Sequence, residues 1–324
     1  MLTTRLTTTL KIDHPIMLAG MGGVSYAALS AAVSNAGGFG CLGASTMSQD
    51  QMVDEIAATA AATSRPFGVD LLTAMPGDLV HSVELVIAGG ASAFVAGLGV
   101  PSKVIDLCHD HGVLVVSMCG KVEHARRAVD AGCDLVVAQG TEAGGHTGTV
   151  ATMPLVPMVV DAVADKVPVV AAGGLFDGRG LAAALALGAD GVWIGTRFIA
   201  TPEARGIPGF KDRILGSKEE GTVVSRAFSG KTMRVLKNET TEYYEQNPDR
   251  LLPFPDQLGV SFREGTFHLG GDESTRGVDL AREGYPAGQA VGAIDALVPA
   301  GDLVASIAAE AEAAIGRLAT LAGR

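Results

Sequence analysis

Eight short apolar runs, each followed by a segment with helical periodicity, are the feature that most restricts how this chain can fold. The runs are four to eight residues long and are separated by glycine, proline or polar residues. Continuous apolar runs of this length are typical of parallel strands that are buried on both faces. Regular alternation of such strands with helices predicts an α/β architecture. The predicted strands occupy residues 15–20, 39–44, 66–72, 93–99, 113–119, 135–140, 168–174 and 191–198.

The number of these units distinguishes between two α/β architectures. Eight strand–helix units of about 25 residues each match the (β/α)₈ TIM barrel. The alternative is an open, doubly wound sheet that binds a dinucleotide. However, the first turn reads GMGG at residues 20–23, which does not give GxGxxG, and the second strand ends in GAS at 43–45 without an acidic residue. The sequence therefore favours the TIM barrel.

The regular alternation stops after the eighth strand. Residues 205–280 are charged and show no clear strand–helix repeat, so we predict a smaller, mainly helical cap or substrate domain there. Residues 281–324 end in an alanine-rich amphipathic helix, which we expect to pack back on the barrel. The predicted barrel thus comprises residues 1–204 and 281–324, with the cap inserted before the C-terminal helix.

Charge and composition exclude several classes of partner. The formal net charge is −11 and the lysines and arginines form no cluster, which argues against a nucleic-acid partner. No apolar run approaches the roughly 18 residues of a membrane span. The four cysteines show neither CxxC nor metal-ligand spacing, so we expect buried thiols and no bound metal. The N-terminal residues lack the apolar core of a secretory signal, and we therefore expect a cytoplasmic protein.

The segment 135–148 (LVVAQGTEAGGHTG) carries the main catalytic candidate. His146 follows the predicted sixth strand, and α/β barrels place their chemistry at that end of the strands. The surrounding glycines allow the backbone to approach a ligand closely. Histidines are more often structural than catalytic, but no apolar periodicity surrounds this one, and its side chain usually titrates near neutral pH. We predict that His146 is catalytic.

Three carboxylates are less clear from the sequence. Glu142, four residues before His146, could orient that histidine or could be a solvated loop residue. Asp70 and Asp177 allow the same two interpretations. For all three, the solvated alternative is the simpler one.

Two glycine motifs at the last two strands indicate a phosphate site. Ala172-Gly173-Gly174 ends the seventh strand and Gly195-Thr196-Arg197 ends the eighth. Ordinary turns also favour glycine, but in TIM barrels these two loops commonly bind phosphate through backbone N–H groups. The chain has no Ser-His-Asp set, paired carboxylates or metal-ligand cluster, which favours a phosphorylated redox cofactor. FMN fits best.

The motifs PIMLAGM, NAGGFG, RPFGVD, EAGGHTG, PVVAAGGLFDGRG and ALALGADGVWIGTRF occur in this order, and AGQAVG follows at 287–292. Together they resemble the nitronate monooxygenase (2-nitropropane dioxygenase-like) flavoproteins over nearly the whole chain. The resemblance implies that FMN binds at the barrel mouth, that alkyl nitronates are oxidised with O₂, and that His146 removes the α-proton of neutral nitroalkanes. The FMN contacts it implies are Gly20, Met21, Leu72, Gly145, Ala172, Gly173, Gly174, Gly195, Thr196 and Gln289.

The resemblance leaves the activity within the family open. Met118 stands where some members carry a lysine near the flavin. The family also includes FMN-dependent, NAD(P)H-consuming reductases of enoyl-acyl-carrier-protein, acyl-CoA and quinones, and EAGGHTG is equally close to these. The small-molecule substrate is therefore a nitronate or an enoyl- or quinone-type acceptor, with O₂ or NAD(P)H as co-substrate. A non-enzymatic flavin-binding sensor is a third alternative, and a homodimer is one option for the oligomeric state.

Overall fold

The computed structural model describes residues 2–73 and 77–323 of the chain. Its strands are β1 (Ile16–Leu18), β2 (Gly40–Gly43), β3 (Phe67–Leu72), β4 (Ala93–Gly97), β5 (Leu114–Cys119), β6 (Leu135–Gln139), β7 (Gly145–His146), β8 (Val169–Ala172), β9 (Gly191–Ile194), β10 (Thr222–Ser225) and β11 (Met233–Leu236). Its α-helices are α1 (Arg5–Leu10), α2 (Ala27–Asn35), α3 (Gln49–Ala62), α4 (Leu79–Ala88), α5 (Ile105–Asp110), α6 (Val122–Asp130), α7 (Thr152–Val163), α8 (Gly178–Ala186), α9 (Thr196–Ile199), α10 (Phe210–Leu215), α11 (Glu239–Gln246), α12 (Asp256–Glu264) and α13 (Ala300–Leu321).

Eight of these strands form a parallel barrel in the order β1-β9-β8-β6-β5-β4-β3-β2. The ring closes between its first and last members, where Met17 and Phe39 form a parallel bridge. There the Leu18 N–H donates to the Phe39 carbonyl at 2.9 Å, and the Phe39 N–H donates to the Ile16 carbonyl at 2.9 Å. The predicted (β/α)₈ TIM barrel is confirmed.

Large apolar side chains fill the barrel interior. Met17, Phe39 and Trp193 are buried inside the ring together with valines from β4, β5, β6 and β8. The amino end of the barrel is closed by α1, which buries Leu6 and Leu10 against these residues. No helix was expected before the first strand. Since α1 closes the amino end, a ligand reaches the interior from the carboxyl ends of the strands.

The segment 205–280 contains helices α10, α11 and α12, as predicted, and also an antiparallel hairpin, β10–β11, that the sequence analysis did not predict. The hairpin is joined to the barrel because β11 pairs with the short strand β7, which carries His146. Phe228, Met233 and Phe267 form a small apolar core inside this segment. Its status as a separate domain stays a prediction.

The C-terminal helix α13 packs against α8 and α2 on the outside of the barrel, as predicted. Glu310 on α13 accepts a hydrogen bond at 3.0 Å from the N–H of Gly178, the first residue of α8. The four cysteines are buried free thiols. Within residues 2–73 and 77–323, no helix combines the length and apolar character that crossing a bilayer requires.

Candidate active site

A cavity of about 900 Å³ opens at the carboxyl end of the barrel. Its floor is formed by the strand ends, and Phe254, Leu258 and Phe267 of the cap segment contribute to its wall. The predicted site residues that line it are Gly20, Met21, Leu72, Gly145, His146, Ala172, Gly173, Gly174, Gly195 and Thr196. The volume lies near the upper end of the roughly 300–1,000 Å³ typical of ligand pockets. The fold therefore gathers these residues around one large cavity.

Gln289 is the predicted site residue that does not line the cavity. Its side chain is exposed, whereas its neighbours Gly288 and Ala290 do contribute to the wall. The Gln289 N–H donates to the carbonyl of Glu142 at 2.8 Å. The loop is thus attached to the His146 segment through its backbone, and a ligand role for the Gln289 side chain stays a prediction.

The two glycine motifs present backbone donors to the cavity. The N–H groups of Gly173, Gly174, Gly195 and Thr196 donate no hydrogen bond to another described residue. Gly173 and Gly174 have φ angles of +107° and +72°, which L-residues with a side chain rarely adopt. The hydroxyl of Thr196 accepts the N–H of Gly288 at 2.8 Å, which leaves its own proton to donate. Five donors on adjacent strand ends fit a phosphate group.

The loops after β1 and β9 leave little room for side chains at Gly20 and Gly195. A Cβ atom on Gly195 would lie 3.3 Å from both Ala19 Cβ and Met21 Sδ. A Cβ atom on Gly20 would lie 2.2 Å from Asp70 Cβ. Glycine at these two positions leaves the floor of the cavity free of projecting side chains, which suits the close approach of a flat ring system.

His146 is half-buried on β7 and faces the cap segment. Its Nε2 atom lies 3.0 Å from the hydroxyl oxygen of Ser229. Burial, together with the ammonium group of Lys231, lowers the pKa of His146 to about 4. The expectation that His146 titrates near neutral pH was wrong, because desolvation disfavours the charged imidazolium. At neutral pH the imidazole is uncharged and able to accept a proton.

Glu142 neither orients His146 nor lies free in solvent. Its Oε2 atom accepts two hydrogen bonds from Thr152, one from the backbone N–H and one from the hydroxyl, both at 2.8 Å. Thr152 is the first residue of α7, whose N-cap residue Ala151 provides no side-chain acceptor. Glu142 therefore ties the His146 loop to the start of α7. Asp177 has a similar structural role, since it accepts the Gly180 N–H at 2.9 Å at the start of α8.

Asp70 is a buried carboxyl group without a partner. Its exposed fraction is 7%, it lines the cavity, and it makes no hydrogen bond with another described residue. Burial raises its pKa to about 8. At neutral pH Asp70 is therefore largely a neutral carboxylic acid with a proton to donate. The interpretation of Asp70 as a solvated carboxylate was wrong.

The cavity wall is positively charged although the chain is acidic overall. Lys121 and His124 near the start of α6 and Arg127 in its last turn line it on one side, and Lys231 lines it from the cap segment. Among the described lining residues, Asp70 is the only acidic one. A positive wall of this kind favours anionic ligands. Sequence reasoning missed Lys231 and Ser229, since both lie far from any motif in a segment without a regular pattern.

Comparison with known proteins agrees with this fold. The sequence model of the nitronate monooxygenase family matches residues 3–79 and 73–310. A Mycobacterium tuberculosis protein, (3aS,4S,5R,7aS)-5-hydroxy-7a-methyl-1-oxo-octahydro-1H-indene-4-carboxyl-CoA dehydrogenase, is 42% identical over 75% of this chain and 69% of its own length.

Two solved structures resemble the whole chain. FabK from Thermotoga maritima has a TM-score of 0.87 and 34% identity, covering 99% of this chain and 100% of its own. Nitroalkane oxidase from Streptomyces ansochromogenes has a TM-score of 0.82 and 30% identity, covering 97% of this chain and 99% of its own. Because the family model spans nearly the whole barrel and such relatives share both sequence and fold, this chain belongs to the nitronate monooxygenase family of oxidoreductases.

Proposed function

We propose that this protein is an FMN-dependent nitronate monooxygenase, which oxidises alkyl nitronates with O₂. The observation that carries the proposal is the placement of an uncharged, proton-accepting His146 in the same cavity as the unpartnered N–H donors of the two glycine motifs. When bound, FMN supplies the electron acceptance and the reaction with O₂. The similarity to nitroalkane oxidase from Streptomyces ansochromogenes supports this choice.

Each residue then has a defined task. The N–H groups of the two glycine motifs and the Thr196 hydroxyl bind the phosphate. Met21 and Met118 supply apolar contacts at the cavity floor, and Asp70 supplies one neutral donor. Aromatic residues of the cap segment exclude water. His146 takes the α-proton from a neutral nitroalkane, a step that is not needed when the substrate arrives already ionised as a nitronate.

A second candidate is an NAD(P)H-dependent reductase of an enoyl or acyl thioester. The specific observation in its favour is the positive wall formed by Lys121, Arg127 and Lys231. Three cationic side chains fit the several phosphates of a nucleotide, whereas a small alkyl nitronate carries only one negative charge. Similarity to FabK and to the carboxyl-CoA dehydrogenase supports the same alternative.

One experiment separates the candidates. The oxidised, FMN-loaded protein is mixed without oxygen with a propyl nitronate, with NADH and with NADPH, and the absorbance of oxidised flavin is followed. We expect a rapid loss of absorbance with nitronate and a slow one with either dinucleotide. Rapid loss with NADH or NADPH alone would establish the reductase, and no change with any of the three would favour a flavin-binding sensor.

The variant His146→Asn tests the assigned base in the same assay. It should keep its FMN and its fold, and it should lose about 10²-fold or more in turnover of neutral nitroethane, the usual scale of general-base catalysis. Its turnover of the nitronate should stay close to that of the parent protein. An equal loss on both substrates would assign His146 to binding rather than to proton removal.

A further inference from the structure

We infer that Ser229, carried by the cap segment, fixes which ring nitrogen of His146 bears the proton and leaves Nδ1 as the atom that accepts a proton from the substrate. The two residues are 83 positions apart in the chain and meet at 3.0 Å. This role rests on the proposed function in one respect only, namely that the carbon acid that gives up its proton is a nitroalkane. Ser229 is thus a positioning residue.

The hydrogen bonds around Ser229 determine the tautomer. A serine hydroxyl has one proton to donate and two lone pairs that accept. The Ser229 hydroxyl donates to the carbonyl of Lys231 at 3.2 Å and accepts the N–H of the same residue at 3.2 Å. Since its single proton is used there, its remaining lone pair can only accept. The third partner, His146 Nε2, must therefore be the donor, which makes His146 the Nε2–H tautomer.

The opposite nitrogen is left free by the same arrangement. His146 Nδ1 makes no hydrogen bond with another residue of the described chain, and the imidazole lines the cavity. If Ser229 instead donated to Nε2, the Lys231 carbonyl would lose this donor at a position where the serine is only 1% exposed. Losing a hydrogen bond at the partly buried Lys231 is unfavourable. The geometry thus favours a neutral imidazole with its lone pair on Nδ1.

The support of this serine is rigid. Strand β11 follows the Ser229 turn and pairs with β7, so that Met233 lies opposite His146. Arg234, next along β11, donates to the Thr141 carbonyl at 2.9 Å and to the Thr222 hydroxyl at 3.2 Å. The bond to Thr141 joins the hairpin to the His146 loop, and the bond to Thr222 ties β11 to β10. Together with the pairing of β11 and β7, they hold the serine next to Nε2.

The proton transfer balances with these groups alone. The Cα–H bond of the nitroalkane breaks, its electron pair stays on the substrate as the nitronate, and the proton forms a new bond to Nδ1. Nε2–H keeps its bond to Ser229 throughout. The nearby Lys231 ammonium disfavours the imidazolium that results, so the proton is passed on to solvent rather than retained.

Nitrogen NMR of the FMN-loaded protein tests the tautomer directly. Histidine is labelled with ¹⁵N, and the signal of His146 among the seven histidines is assigned by its loss in His146→Asn. We expect a protonated Nε2 and a bare Nδ1 at pH 7. In Ser229→Ala the two nitrogens should move toward exchange-averaged shifts, and turnover of neutral nitroethane should fall about tenfold, less than loss of the base itself.

Two further variants make the result specific. Ser229→Thr keeps the hydroxyl and should restore both the NMR signal and the turnover. Ser225→Ala, in the same hairpin, removes a hydroxyl that accepts the Ala227 N–H at 3.1 Å and should change neither. A protonated Nδ1 in the parent protein, or an unchanged His146 signal in Ser229→Ala, would overturn the inference. Because the NMR needs no substrate, a bare Nδ1 in a protein inactive on nitroalkanes would refute the proposed function alone.

Discussion

Asp70 shows how one residue can depart from the behaviour that its type suggests. An aspartate between hydrophobic strand residues is usually ionised and solvated or paired, yet here the barrel wall surrounds it and leaves it neutral. Nothing in the segment RPFGVD reveals this from the sequence, because the burial is created by neighbouring strands. The close packing of residue 20 against Asp70 contributes to this burial, because only glycine at position 20 leaves room for the Asp70 side chain.

The raised pKa of Asp70 makes stability depend on pH in a defined direction. With a folded pKa of about 8 and an ordinary value of 3.8, the folded state holds its proton more tightly, so this contribution is complete below pH 4 and is lost as the pH rises toward 8. Asp70→Asn removes that dependence. We expect the melting temperature of the parent protein, relative to the variant, to fall by roughly 4 °C between pH 6 and pH 9. If scanning calorimetry gives the same difference in melting temperature at both pH values, the raised pKa of Asp70 is contradicted.

At the scale of elements, the sequence predicted what depends on local pattern. All eight barrel strands were found because buried parallel strands leave continuous apolar runs. The pattern did not reveal α1 or the hairpin β10–β11. Helix α1 is only six residues long, and the hairpin is stabilised by pairing with β7 rather than by a pattern of its own. Whether such elements form depends on tertiary contacts rather than on the local sequence pattern.

The candidate site likewise contains residues that the sequence pattern predicts and residues that it does not. The glycine motifs and His146 were predictable because each follows a strand that the pattern identifies. Ser229 and Lys231 were not, since their roles come from a hairpin whose pairing is invisible in the sequence. The partner of Glu142 was also missed, because Thr152 lies at the start of the following helix.

The glycine loop after β9 gives a prediction at this scale. Gly195→Asp places a carboxylate beside the four N–H donors, where it would repel a phosphate, so we expect FMN retention to fall at least tenfold while the barrel stays folded. Circular dichroism reports the fold, and flavin absorbance per protein reports retention. Gly316→Asp, on the exposed face of α13, makes the same charge change in open space and should retain FMN. Normal retention in a folded Gly195→Asp protein would remove the phosphate assignment.

For the whole molecule, the uneven charge is the notable property. The chain carries a formal net charge of −11, and yet the described wall of the cavity at the barrel mouth is positive. Such a wall attracts anionic substrates against the overall repulsion, an effect that salt screens over about 8 Å at physiological ionic strength.

The charge distribution can be tested by varying salt. For the anionic nitronate, kcat/KM should fall about threefold between roughly 0.02 and 0.5 M salt, and the fall should be smaller in Lys121→Ala. Arg126→Ala is the matched control, because Arg126 lies on the same helix and does not line the cavity. Equal salt dependence in the parent protein and in Lys121→Ala would show that the wall does not attract the substrate.

The helix that closes the amino end also constrains how the protein is made. Leu6 packs where a side chain on Gly191 would stand, and the Thr4 hydroxyl donates to the Asp190 carbonyl at 2.7 Å, so α1 docks onto β9, a strand that is synthesised much later. Strand β1 likewise finds its partner in β9. During synthesis the leucines of α1 therefore stay exposed until β9 has been made. Contacts so distant in sequence form slowly, and the nascent chain is most prone to aggregate in that interval.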